Sequence, residues 1–248
     1  MSTTENIIQE ETEIFIKNTQ KYSSYFNHAI GATNLLATSI QSVHSDRFIF
    51  TLFLSHLRKH HFLALLSTTR QHHVQATMNL RQVLEAMVCA SYAIAHPVKK
   101  TEIIKTEPTN KYLKKAYNWI KTAYPTGSQV IKKQKDIINN STAHVNPAFA
   151  HQTFKYDPEN RVFQTPFFDF ENEYLIKSDF WFIANMVIGI TDLFYKINKD
   201  YDGMKFQSNF IAQLKELETE NNNIKKEMIK HPRFKASLKK DLKGNIVN

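Results

Sequence analysis

The stretch from His72 to Tyr92, HHVQATMNLRQVLEAMVCASY, decides the fold class. Its apolar residues recur every three or four positions, which predicts an α-helix, and Pro97 ends that helix because proline cannot continue it. On a helical wheel, Arg81 and Glu85 fall in the middle of the apolar arc. Because burying a lone charge costs several kcal/mol, we expect these two side chains to pair with each other inside the protein. Such a pair either fixes the register of the helix or organises a polar pocket.

Helical periodicity continues along most of the chain and predicts an all-α fold, a bundle of about seven helices. The other expected helices cover residues 6–42, 45–69, 108–125, 128–140, 178–201 and a stretch from about 205. The 5 glycines and 7 prolines supply little turn material, which argues against an all-β sandwich or a glycine-rich nucleotide-binding fold. The phosphate-cradling motifs GxGxxG and GxxxxGK[ST] are absent from the sequence.

One segment, residues 143–177, loses the helical period and is rich in prolines and aromatic side chains. We expect a long irregular insertion there, with a short hairpin around YDPENRVF, residues 156–163. An aromatic loop of this length inside a compact domain is usually functional. Residues 1–217 are then expected to form the helical bundle domain, and residues 218–248 a polar, basic C-terminal tail.

The remaining composition indicates a reducing, cytoplasmic setting without a membrane. The single cysteine, Cys89, excludes an internal disulfide and a cysteine-rich zinc site, and its apolar neighbours predict a buried thiol. The polar N-terminal stretch MSTTENIIQEETE lacks the character of a signal peptide. The most apolar stretch, FWFIANMVIGITDLF at 180–194, is short, contains Asn185 and has Asp179 and Asp192 at its ends. A buried helix therefore explains it better than a membrane span.

The net charge of +9 is concentrated in two segments. Residues 99–135 contain ten lysines and two glutamates, and residues 224–243 contain eight lysines or arginines and two acidic residues. This asymmetry predicts an anionic partner such as RNA, DNA or an acidic protein, although lysines also simply cover the solvent faces of amphipathic helices. The candidate binding side chains are Lys114, Lys115, Lys132 and Lys133, together with Asn140 and Ser141 at the end of a predicted helix.

Two histidines, His56 and His60, lie one helical turn apart, a spacing at which imidazoles can share a metal ion. A catalytic zinc or iron site requires a further ligand, often a carboxylate, and the sequence has no HExxH motif. The other nearby histidines, His61 and His73, have no diagnostic spacing. We therefore expect no metal and no other cofactor. The alternative is a metal-binding bundle with His56 and His60 as its ligands.

Two motifs together resemble the HEPN-like helical domains found in prokaryotic, phage-defence-type proteins. One is LRQVLEAMVCASY at 80–92, and the other is NNSTAHVNP at 139–147. The resemblance covers roughly residues 46–200 and implies a helical bundle, often a homodimer, with metal-independent RNA cleavage in the active members. Active members share an arginine followed, after four to six residues, by a histidine. This chain has Asn139 and His144 at that spacing, with asparagine in place of arginine.

That departure favours a non-catalytic protein that binds RNA or another protein, in a bacterial defence or toxin–antitoxin setting. The alternative is a ribonuclease. Its general acid/base would be His144, with Arg81 and Glu85 shaping the pocket around the phosphate.

Overall fold

A computed structural model of the protein describes residues 3–97, 109–141, 155–164 and 166–232. Within these ranges the chain forms eight α-helices and two short two-stranded antiparallel sheets, which confirms the all-α bundle. The helices are α1 (Thr4–Lys21), α2 (Ser23–Thr38), α3 (Phe48–Thr69), α4 (His73–Ala95), α5 (Thr109–Ala123), α6 (Pro125–Ser141), α7 (Glu173–Tyr201) and α8 (Phe210–Ile229). The strands are β1 (Ile40–Val43), β2 (Lys155–Asp157), β3 (Val162–Gln164) and β4 (Met204–Phe206), with β1 paired to β4 and β2 to β3.

The core is formed by α3, α4 and α7, and α2, α5, α6 and α8 pack around them. Its largest completely buried side chains on these three helices are Phe50, Leu57, Leu65, Leu84, Ile94, Phe180 and Phe194. Helix α7 is long and apolar enough to cross a membrane by length and composition, but 56% of its most apolar window is buried against the other helices. It is therefore a core helix of the bundle, as expected from the sequence.

The expected single helix over residues 6–42 is wrong, because the chain forms two helices and a strand there. Helix α1 ends at Lys21, because the backbone of Tyr22 leaves the helical region. The buried Tyr22 ring directs its hydroxyl to Glu171, with 2.8 Å between the two oxygens. Helix α2 ends at Thr38, and β1 then pairs with β4, more than 150 residues later in the chain. Helical periodicity predicts neither change, because apolar residues continue at helical spacing across Tyr22 and the pairing of β1 with β4 is a long-range contact.

The expected hairpin around residues 156–163 is present as β2 and β3. Its turn is held by Asp157, whose carboxylate accepts hydrogen bonds from the backbone amides of Glu159 and Asn160. Helix α7 begins at Glu173 instead of 178, because the Asn172 side chain caps it by accepting a hydrogen bond from the backbone of Leu175. The irregular segment thus ends five residues earlier than the sequence predicted.

The boundary expected at residue 217 falls inside helix α8, which continues to Ile229. Its polar half buries Ile224 and is also held by buried hydrogen bonds. The side-chain oxygen of Asn221 lies 3.1 Å from Nε2 of His28, its amide nitrogen donates to Asn185, and its backbone carbonyl accepts from Trp181. A polar sequence therefore docks here because each buried group has a partner on α2 or α7.

Candidate functional site

Helices α5 and α6 carry most of the predicted binding lysines, and we call residues 109–141 the basic helix pair. The two helices meet at Tyr124. Pro125 cannot continue α5, but its fixed backbone angle suits the first position of α6. Both helices pack against α4. The side chains that they bury are Ala116, Ile120, Ile131 and Ile138. The faces opposite these residues are turned to solvent.

The solvent faces of the basic helix pair are almost free of acidic residues. Its seven lysines stand against one carboxylate, Asp136, a net of six positive charges. The lysines are Lys111, Lys114, Lys115, Lys121, Lys132, Lys133 and Lys135, and all but the last are exposed. In the described part of the chain, no carboxylate forms an ion pair with Lys114, Lys121, Lys132 or Lys133. Such a surface attracts an anion in proportion to its charge, and salt screens that attraction.

The Arg81–Glu85 pair forms as expected, with Nε 3.3 Å from Oε1, but it is not in the core. The two side chains are 42% and 26% exposed, and Met78 on the same arc of α4 is 53% exposed. The prediction of a buried pair is wrong because it treats every apolar residue of this arc as a core residue, although Val74 and Met78 are exposed. The buried face of α4 is centred on residues such as Val83 instead. The pair is therefore a partly solvated ion pair of low energetic value.

The same ion pair borders the basic helix pair through Tyr117 of α5. Burial and the nearby carboxylate of Glu85 raise the pKa of Tyr117 to about 12. The ammonium of Lys135 lies 4.7 Å from the centre of the Tyr117 ring. Arg81, Tyr117 and Lys135 thus follow one another along the seam between α4 and the basic helix pair.

The structure describes only some of the other predicted site residues. His144 lies outside the described residues, and so do the side chains of Asn140 and Ser141 at the end of α6. The rings of His56 and His60 are adjacent, with 4.3 Å between their centres, but Nδ1 of His60 lies 2.8 Å from the Asn79 side-chain oxygen. Over the described ranges, no group of three histidine, cysteine or acidic side chains is arranged to hold a metal ion.

One polar cluster was not predicted from the sequence. His73, at the start of α4, lies with Nδ1 2.6 Å from the Asp179 carboxylate of α7, and its backbone amide donates to Asp169. Burial opposes charging of this imidazole, but Asp179 outweighs that effect and raises the pKa of His73. The adjacent cavity, about 20 Å³, holds about one water, so the cluster joins elements and does not accommodate a substrate. No sequence spacing links His73 to a carboxylate 106 positions away.

The described residues thus form a helical bundle with a strongly cationic surface on α5 and α6. No protein-family model matches the chain, and no curated protein or solved structure is significantly similar to it.

Proposed function

We propose that this protein is a non-catalytic helical bundle that binds an anionic partner, RNA in the first place and otherwise an acidic protein, through the basic helix pair. The observation that carries the proposal is the near absence of acidic residues on α5 and α6, where Asp136 alone opposes seven lysines. Lysines that only solubilise a helix usually alternate with acidic residues, because opposite charges at neighbouring turns stabilise the helix. A one-sign surface loses that stabilisation and gains attraction for a polyanion.

The proposal also covers the biological setting of the protein. The motifs at 80–92 and 139–147 support a place among HEPN-like proteins of bacterial defence or toxin–antitoxin systems, acting in the cytoplasm as a homodimer. Within such a system a non-catalytic bundle acts by binding alone, because its lysines hold the charged groups of RNA or of an acidic protein. Those contacts read charge and not base sequence.

Binding of a fluorescently labelled, mixed-sequence RNA tests the proposal, with anisotropy as the readout. The test variant carries Lys114→Glu, Lys132→Glu and Lys133→Glu, all at exposed positions of the basic helix pair. The control variant carries three equal reversals at lysines exposed on α3, β4 and α8, which are Lys59, Lys205 and Lys215. Both variants change the net charge equally, so a difference between them reports position.

We expect the helix-pair variant to lose about tenfold or more in affinity and the control variant much less, since each lost phosphate contact weakens binding. Equal losses in the two variants would show that only the total charge matters, which contradicts the proposed surface. Labelled poly-glutamate in place of RNA distinguishes an acidic protein from a nucleic acid as the preferred partner. Stronger binding of poly-glutamate favours the acidic protein.

A ribonuclease is the second candidate, and one observation favours it. Arg81 is partly exposed beside the basic helix pair, whose second helix ends three residues before His144. An RNA held on the lysines would then lie near the Arg81 guanidinium, the cationic stabiliser that phosphodiester cleavage requires, and His144 is the acid/base that this candidate function assigns. Purified protein and its His144→Ala variant, incubated with the same RNA, discriminate the two functions. Cleavage by the wild type that is lost in His144→Ala would support the ribonuclease. If neither protein cleaves the RNA, the ribonuclease hypothesis is wrong.

A further inference from the structure

A second candidate site lies away from the basic helix pair, in a groove of about 420 Å³ between strand β1 and helix α3. One wall is the whole of β1. In the described part of the chain, β1 pairs only with β4, in a sheet of two strands. The other wall is one face of α3, where Thr51, Ser55 and Arg58 follow at helical spacing. The groove is large enough for a small metabolite or the end of a longer ligand.

The distinctive residue of this groove is Arg58. Its Nε donates to the backbone carbonyl of Leu36, in the last turn of α2, with a length of 3.0 Å. That bond uses one of the five N–H donors of the guanidinium. The donors on Nη1 and Nη2 make no hydrogen bond, and no carboxylate pairs with Arg58, anywhere in the described residues. Burial without a compensating anion lowers the pKa of Arg58.

An arginine in this state differs from the lysines of the basic helix pair. It is half-buried and fixed at Nε by its bond to Leu36, and its Nη donors bond no group among the described residues. Arg47, just before α3, is different, because its buried guanidinium has a carboxylate partner, Asp46, at 2.6 Å. The Leu36 carbonyl at the C-terminal end of α2 offsets only part of the lost hydration of Arg58, because the negative end of a helix dipole is a weaker partner for a guanidinium than a carboxylate is.

We propose that Arg58 is the anchor of a binding site for a small oxyanion, the carboxylate or phosphate monoester group of a ligand that occupies the groove. The free fork of Arg58 matches two oxygens of such a group. Ser42 and Ser55 line the same groove, and their hydroxyls are further donors available to the oxyanion. Ile40, Val43 and Leu54 are the apolar residues of the lining and receive the apolar part of the ligand. This site does not depend on the basic helix pair.

Nitrogen-15 NMR of the full chain tests the site, with inorganic phosphate and acetate as separate probes at constant ionic strength. The signals to follow are the Nε–H of Arg58 and the backbone amides of Ser42 and Ser55. Ser55→Leu fills the groove and leaves Arg58 in place, and Arg58→Lys keeps the charge but removes the fork. Lys59→Met is the matched control, because Lys59 is exposed on the same helix and does not line the groove.

We expect saturable shifts of the groove signals with a dissociation constant in the millimolar range for at least one probe. Ser55→Leu and Arg58→Lys should each weaken binding about tenfold, the value of one charge-assisted hydrogen bond, and Lys59→Met should leave it unchanged. A response to phosphate alone assigns a phosphate monoester, and a response to acetate alone assigns a carboxylate. No saturable shift with either probe, shifts confined to the basic helix pair, or unchanged binding in Ser55→Leu would overturn the proposal.

Discussion

Acidification should destabilise this protein through His61, a histidine on α3 whose side chain is completely buried. Its Nε2 lies 3.3 Å from the backbone carbonyl of Ile183, and its Nδ1 lies 3.4 Å from the Thr33 hydroxyl. Burial disfavours the imidazolium and lowers the pKa of His61 from 6.5 to about 4, although the Ile183 carbonyl partly opposes this effect. The folded protein therefore keeps His61 neutral at a pH where the unfolded chain has already bound a proton.

The sign and size of the effect follow from linkage. Because the pKa of His61 is lower in the folded protein, its stabilising contribution is complete above pH 6.5 and is lost as the pH falls from 6.5 to about 4. A pKa change of this size corresponds to about 3 kcal/mol over the whole range. Roughly 2 kcal/mol of this is lost between about pH 7 and about pH 5, since most of the unfolded chain is protonated at the lower value.

Urea unfolding followed by far-ultraviolet circular dichroism measures this loss at the two pH values. Other groups titrate as well, so the informative quantity is the difference between wild type and His61→Phe, which keeps an aromatic ring at the position and cannot be protonated. We expect the wild type to lose about 2 kcal/mol more than this variant between the two pH values. A control, His44→Gln, replaces an exposed histidine and should behave as the wild type. Equal losses in wild type and His61→Phe would refute the reasoning.

Three further predictions concern single residues. Asn221→Ala should lower the free energy of unfolding, measured by urea titration, by about 2 kcal/mol, because it removes buried hydrogen bonds between α8 and the bundle. The control Asn222→Ala, on the exposed face, should have little effect in the same titration. Gly203→Ala should cost about 1 kcal/mol, since its new methyl group would lie 3.0 Å from Nε of the buried Arg47, and a thermal melt measures this. Cys89 should resist iodoacetamide until the protein unfolds, because burial, with Glu85 nearby, raises its thiol pKa to about 12; modification of the native protein at the unfolded rate, read by mass spectrometry, would contradict this.

The fold class was predictable because an amphipathic helix requires a local pattern of apolar residues in the sequence. Apolar residues at helical spacing occur in every long helix of the core, and Pro97 and Pro125 mark helix ends by their own covalent structure. The break at Tyr22 and the pairing of β1 with β4 were not predictable in this way. Both involve contacts far along the chain, since the Tyr22 hydroxyl bonds Glu171 and β1 pairs with β4.

The candidate site was predictable only in its composition. The excess of lysines in residues 109–141 is visible in the sequence, and the amphipathic character of α5 and α6 already orients it outward. The position of Arg81 was misjudged because an apolar arc does not say which of its residues meets another helix. The groove at Arg58 is not predictable from the sequence either, because no sequence pattern indicates that, among the described residues, Arg58 bonds a backbone carbonyl and pairs with no carboxylate.

The salt dependence of RNA binding tests the central claim about the basic helix pair most directly. The logarithm of the association constant should fall linearly with the logarithm of the salt concentration, because each lysine–phosphate contact releases condensed counterions. Removing three contacts with Lys114→Glu, Lys132→Glu and Lys133→Glu should make that slope shallower by about 2, given about 0.7 per contact for a single strand. A slope near zero for the wild type, or the same slope in this variant, would contradict an electrostatic interface on α5 and α6.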